Sequence, residues 1–302
     1  MIETVEQTKS APARWKADTA LALVALLWGT TFVVVKGALA EISTLYFLAL
    51  RFTLASLCML PILIPAFREE PSRVRRGLRS GAVAGIFLWL GYIMQTFGLK
   101  YTTAGNSGFL TGLYIVLVPI ISAALYRRWP QISELVGISV ASIGIVLLTF
   151  PSLDRSFHLN RGDLLTIGCA VAFAFHLLVL GYFSQRERFE AVALGQIACV
   201  ALLSFAFLPL DPPRAHWSSG LVFAIILTGL FATALAFVGQ TWAQQYTTAT
   251  RAALIFALEP VFALATAVTI GGEKTTLSAL SGGALILIGI LAVELKPAAR
   301  HT

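Results

Sequence analysis

Apolar residues fill ten long stretches of the chain, approximately 17–35, 45–67, 77–99, 104–126, 131–150, 162–183, 190–209, 219–243, 250–271 and 277–295, and short polar or basic segments separate them. A helix needs about 20 apolar residues to cross some 30 Å of hydrocarbon, so each stretch has spanning length. The roughly ten residues of a barrel strand are too few to account for them. An isolated strand in lipid would also leave its backbone polar groups unpaired. The pattern predicts an all-α membrane protein with ten transmembrane helices. Helical periodicity inside the stretches is weak, as follows when lipid and protein neighbours are equally apolar.

Q-T-F-G-L-K-Y-T-T-A-G begins at Gln95 and Q-T-W-A-Q-Q-Y-T-T-A-T at Gln240, so the spelling Q-T-x-x-x-x-Y-T-T-A recurs 145 residues later. At the same offset Asp18 corresponds to Asp163, Trp28 to Phe173, Gly137 to Gly282 and Gly144 to Gly289. The duplication covers nearly the whole chain. It predicts a first repeat over 17–150 with spans 1–5, a linker over 151–161 and a second repeat over 162–295 with spans 6–10. Five helices are an odd number, so the second copy must enter the membrane from the opposite side. Such an inverted repeat is how carriers build two interconvertible faces around a midplane site.

Charge adds an orientation. The N-terminus, the even-numbered loops and the C-terminus hold 15 of the Lys and Arg residues, among them Arg68, Arg73, Arg75, Arg76 and Arg79, against six on the other side. By the positive-inside rule residues 1–16 form a cytoplasmic N-terminal segment and 296–302 a cytoplasmic tail. The first apolar run is too long for a signal-peptide core and has no small-x-small cleavage site, so it stays as an uncleaved anchor. The net charge of +7 belongs to these loops and calls for no nucleic-acid partner. Cys58, Cys169 and Cys199 all fall in apolar runs, with no disulfide framework or C-x-x-C pattern among them. The expected partners are a small-molecule substrate and the lipid bilayer, in a monomer or homodimer without cofactor or metal.

An unpaired charge at mid-bilayer costs about 3 kcal/mol or more on insertion scales, so polar residues inside spans mark candidate chemistry. Arg51, His176 and Glu259 lie inside spans 2, 6 and 9, with Gln95, Asn106, Gln240 and Arg251 nearer span ends. Glu259 directly precedes Pro260, which removes a backbone donor and allows a bend. It can bind a substrate amine or carry a coupling proton, or it can pair structurally with an arginine. Arg51 suits a substrate carboxylate through a bidentate pair, or equally a fixed ion pair. His176 suits proton exchange or a hydrogen bond within the bundle. Pro119 and Pro260 are candidate hinges. Trp28, Trp89, Tyr92, Tyr114 and Phe173 fall well inside spans and can stack on an apolar or aromatic substrate or simply pack. At the 145-residue offset Glu259 corresponds to Tyr114, His176 to Thr31, Arg51 to Gln196 and Arg251 to Asn106, so the halves share a backbone plan and differ in charge. Gly77, Gly81 and Gly85 on span 3, and Gly108 and Gly112 on span 4, have the spacing for close helix packing.

Catalytic motifs fail. G-G-E-K-T-T, from Gly271, puts Glu273 where a phosphate loop requires glycine before lysine. His158 and Asp163 form an H-x-x-x-x-D, but the corresponding Asp18 has no such histidine. No enzyme is expected.

A-L-L-W-G-T-T-F from Ala25, L-R-F from Leu50, Y-T-T-A in both halves, L-E-P-V-F-A-L from Leu258, G-G-E-K-T from Gly271 and the glycine-rich last span resemble the drug/metabolite transporter superfamily with two EamA-type domains. The first half departs from the pattern, with Tyr114-Ile115 where the second has Glu259-Pro260. The resemblance implies a ten-helix carrier of the bacterial inner membrane, with spans 1–4 and 6–9 around the pathway and spans 5 and 10 peripheral. It points first to export of amino acids, aromatic or broad-range, and also admits drug, sugar or nucleotide-sugar carriers. Outside transport, the alternative is a membrane sensor or assembly subunit that keeps the fold and moves nothing. Under the carrier reading the substrate site draws on Glu259, Arg51, His176, Trp28, Trp89, Tyr92, Gln95, Tyr114 and Gln240.

Overall fold

A computed structural model describes residues 11–102, 104–127, 131–149, 160–269 and 275–294. Among them nine helical spans are long and apolar enough to cross a membrane, and Leu277–Val293 is a shorter apolar tenth. The N-terminal segment through residue 10, most of the linker, the glycine-lysine stretch 271–274 and the C-terminal tail lie outside the described residues. Span 1 is the helix Ala11–Ala38, longer than its apolar run because it continues into the exposed polar end at Trp15 and Lys16. Spans 2 and 3 are Thr44–Glu69 and Pro71–Gly98, span 5 Ile132–Thr149, spans 6 and 7 Arg161–Ser184 and Phe189–Ala206, and span 10 Leu277–Glu294. An isolated antiparallel bridge, Ile42 to Ala215, joins the loop after span 1 to the loop after span 7.

Three spans are interrupted. Span 4 divides into Ala104–Thr111 and Tyr114–Tyr126, and span 9 into Ala249–Phe256 and Leu258–Thr269. Gly112 and Ala257, one in each break, correspond at the 145-residue offset, so the duplication preserved the interruption as well as the spans. The breaks precede the two prolines. Pro119 lies inside an unbroken helix, and Pro260 in the first turn after its break, where its missing N–H has no helical acceptor to leave empty. Span 8 runs Ser219–Gly229 and Ala236–Ala243 with a π-helical turn, Leu230–Leu235, between them. A π turn shifts the i→i+4 ladder and frees carbonyls for other partners.

Glycines show how the halves fit. Cβ atoms built on Gly137 and Gly289 would each fall 2.6 Å from the other's carbonyl oxygen, and Gly144 meets Gly282 in the same way. Because Gly137 corresponds to Gly282 and Gly144 to Gly289, exchanging the halves turns one contact into the other. Spans 5 and 10 therefore run antiparallel across a pseudo-two-fold axis. Gly77, Gly81 and Gly85 lie against Ala191, Val192, Gln196 and Cys199 of span 7, as their spacing predicts. Among the described residues none lies within 4 Å of a Cβ built on Gly108, so no close packing is seen there.

Beside a small buried cluster of Ala84, Leu180 and Val192, two large ones run through both halves. One joins Leu21, Val118, Ile145, Leu177, Phe256 and Ile290, the other Phe52, Leu88, Ile197, Leu221 and Phe237. Outside them large apolar side chains such as Leu57, Ile62, Ile143, Leu202 and Phe223 are exposed, a surface suited to lipid.

Candidate functional site

A cavity opens between the halves, lined from spans 1, 2, 3, 4, 6, 8 and 9. Its walls are repeated residue by residue. Trp28 faces it with Phe173, Thr31 with His176, Tyr92 with Phe237, Gln95 with Gln240, Thr111 with Phe256 and Tyr114 with Glu259, each pair separated by 145 positions. The cavity thus lies on the pseudo-two-fold axis, and both copies of the doubled sequence phrase contribute their leading glutamine. Among the described residues none of spans 5 and 10 lines it.

Aromatic rings build much of the wall. Trp28 packs against Phe256 at 5.0 Å and Phe237 at 5.4 Å, and Tyr92 sits edge-on to Phe52 at 5.1 Å and Phe173 at 5.6 Å. Gly29 lets Trp28 reach this place, since a Cβ there would strike the backbone carbonyl of Glu259. Span 1 therefore presses on span 9 at the carboxyl residue itself.

Arg51 is 4% exposed and held from span 8. Its Nε donates to Thr233 Oγ1 at 2.6 Å and a terminal nitrogen to the Ala232 carbonyl at 3.3 Å. The same carbonyl accepts from the Trp28 indole at 2.9 Å. Ala232 and Thr233 belong to the π turn, and Thr233 donates back to Thr228, five residues earlier, at 2.8 Å. The irregular turn thus anchors both Arg51 and Trp28. The guanidinium lies over the Tyr92 ring, 5.2 Å from its centre. Thr233 and Ala232 take two of its five N–H donors and the Tyr92 side chain a further hydrogen bond, and the remaining donors of its terminal nitrogens are left for an anion. Among the described residues no carboxylate pairs with Arg51, and Glu259 makes no hydrogen bond or ion pair. Burial with free donors on one side and a free carboxyl on the other equips the cavity for a ligand bearing both charges.

The remaining polar residues brace the walls. Gln95 donates to Thr111 at 3.2 Å, and His176 Nε2 lies 2.7 Å from Gln196 Oε1. Trp89 does not reach the cavity: its ring packs on Phe207 at 4.8 Å. The side chain of Asn106 lies outside the described residues. Arg251 pairs instead with Asp18 at 3.3 Å, joining span 9 to span 1. Asp163 closes a capping box with Asn160 and accepts from Thr102 at 2.6 Å, a structural use of the residue in the H-x-x-x-x-D pattern. Among the described residues no three His, Cys, Asp or Glu side chains converge to hold a metal.

The cavity is lopsided along the axis. Val35, Thr96 and Leu99 extend it toward the end bearing Lys36 and Lys100, whereas the corresponding Leu180, Thr241 and Gln244 are fully buried. At that second end Gln244 donates to the Leu177 carbonyl at 3.1 Å, Gln185 to the Gln244 carbonyl at 3.3 Å, and Asp18 holds Arg251.

Two five-helix repeats enclosing a polar and aromatic cavity on their shared axis define a membrane carrier. The profile of the EamA-like transporter family matches residues 15–150 and again 160–295. The chain belongs to that family. An uncharacterized transporter of Archaeoglobus fulgidus is 35% identical over 285 residues, 94% of this chain and 87% of its own length. The uncharacterized transporter YoaV of Bacillus subtilis is 23% identical over 274 residues, 88% of this chain and 92% of its own. A solved crystal structure with 20% identity shares the fold at a TM-score of 0.76, over 95% of this chain and 99% of that one.

The sequence could not show the π turn, the shared Ala232 carbonyl or the contact of Gln196 with His176. No residue type announces a π turn, and Gln196 is one glutamine among several until its repeat partner Arg51 is seen at the cavity.

Proposed function

We propose that the protein is a secondary transporter that exports amino acids across the cytoplasmic membrane of a bacterium by alternating access, with both termini on the cytoplasmic side. One observation carries this reading: a guanidinium with spare donors and an uncommitted carboxyl face a single cavity built from paired repeat positions. A zwitterion meets both groups, its carboxylate on Arg51 by a bidentate pair and its ammonium on Glu259. The ring wall receives an apolar or aromatic side chain.

Alternating access follows from the inverted repeat. In the two states the corresponding residues exchange surroundings, and the breaks at Gly112 and Ala257 let the outer pieces of spans 4 and 9 tilt while spans 5 and 10 keep their contact. The function is transport without catalysis.

The test is uptake and counterflow of a labelled amino-acid panel, aromatic and aliphatic, in liposomes holding the purified protein. Saturable, competable flux is expected. Flux of drugs or sugars alone would reassign the cargo, and ligand binding without exchange would make the protein a sensor.

A further inference from the structure

Behind the cavity wall lies a hydrogen-bonded chain that no step so far uses. Gln196 of span 7 is fully buried and does not line the cavity. Its Nε2 donates to Thr241 Oγ1 at 3.0 Å, and the Thr241 hydroxyl donates to the Phe237 carbonyl at 2.6 Å. A hydroxyl has one proton to give, so Thr241 accepts from Gln196 and thereby sets which way the amide points. The amide oxygen then faces His176 Nε2 at 2.7 Å. An accepting oxygen requires a proton on that nitrogen. In the neutral ring this leaves Nδ1 with a lone pair on a residue that lines the cavity.

The repeat gives the arrangement a second, independent support. Gln196 corresponds to Arg51, and His176 to Thr31. The first half sends both Arg51 of span 2 and Thr31 of span 1 to the cavity, while the second keeps Gln196 of span 7 behind the wall and brings His176 of span 6 to it. A second arginine in place of Gln196 would leave the ring without an acceptor and add a buried cation.

We propose that Gln196 is a positioning residue that holds His176 in the Nε2–H tautomer, so that Nδ1 accepts a hydrogen bond from the ammonium group of the substrate. The inference rests on the amino-acid reading above. An ammonium has three N–H donors. Glu259 takes one and His176 a second, so the cavity recognises the amine by two acceptors of different charge. A ligand without the amine leaves His176 Nδ1 and the carboxyl unsatisfied, and sites built around such hydrogen bonds reject it strongly.

Two measurements test it. In protein labelled with ¹⁵N-histidine, with the signal assigned through His176→Gln, the wild type should show one tautomer with Nε2 protonated and Gln196→Leu a mixture. A mixture in the wild type, or one unchanged tautomer in Gln196→Leu, overturns the proposal whatever is transported. In proteoliposomes, competition by an amino acid is compared with competition by the deamino acid of the same side chain. Gln196→Leu should weaken the amino acid about tenfold, the loss of one hydrogen bond to a charged group, and leave the deamino acid within about twofold. Gln196→Glu, which keeps an accepting oxygen, should restore the discrimination. Equal losses for both ligands overturn the positioning role alone. Absence of competition by any amino acid overturns the ammonium assignment together with the reading on which it rests.

Discussion

Gly144 of span 5 and Gly282 of span 10 meet backbone to backbone: a methyl group on Gly144 would come within 2.6 Å of the Gly282 carbonyl oxygen, and one on Gly282 within 2.5 Å of that of Gly144. The contact ties the two halves on their axis and keeps spans 5 and 10 out of the cavity. Helices in lipid gain no hydrophobic drive toward each other, so close packing of small residues has to supply the association.

Gly282→Val is therefore expected to destabilise the protein by about 1–3 kcal/mol, the usual cost of overpacking. Gly283→Ala is the control, because a Cβ at Gly283 meets nothing nearer than 3.9 Å. Thermal unfolding in detergent checks this, with a lowered midpoint expected for the first variant and an unchanged one for the second.

Arg51 is held by the π turn of span 8 through Thr233. Arg51→Lys keeps the charge but loses the planar fork, so the half-saturating substrate concentration should rise about tenfold or more, equivalent to about 1.4 kcal/mol. Thr233→Val, which frees the guanidinium from its anchor, should give a smaller rise in the same direction. Trp89→Phe, at a ring packed on Phe207 away from the cavity, should leave it unchanged. Counterflow kinetics across the three variants measure all of these.

Among the described residues Glu259 is the one carboxyl on the cavity wall. A group that holds the ammonium in one state and a proton in the other couples export to proton entry. An imposed pH gradient should drive accumulation by the wild type, whereas Glu259→Gln should exchange substrate without responding to the gradient. Equilibration alone in the wild type would assign facilitated diffusion.

Gln244 closes one end of the cavity with side-chain hydrogen bonds, donating to the Leu177 carbonyl and accepting from Gln240, that its counterpart Leu99 cannot make at the other. Gln244→Leu should loosen the closed end. In a background without the native cysteines, a cysteine at Thr247 should react with an impermeant maleimide several-fold faster from the side of the termini in this variant than in the parent. Equal rates would place the seal elsewhere, with Asp18 and Arg251 the next pair to examine.

The spans, the duplication and the pairing of corresponding residues follow from the sequence by itself, because the bilayer demands long apolar runs and a duplicated gene keeps its spacing. Those constraints are one-dimensional and survive without a fold. They also picked out Arg51, His176, Glu259, Gln95 and Gln240, since a polar residue in an apolar run needs a reason. Which side of a helix faces the cavity was decided only in three dimensions, for lipid and protein neighbours favour the same side chains and erase the period that marks an inner face. Trp89 and Trp28 are alike in sequence, yet one packs on Phe207 and the other donates to a carbonyl at the cavity. The π turn holds Arg51 across the two halves, between residues 182 apart, and His176 meets the buried Gln196 across neighbouring spans; no local pattern of residues encodes these contacts or the helix breaks at Gly112 and Ala257.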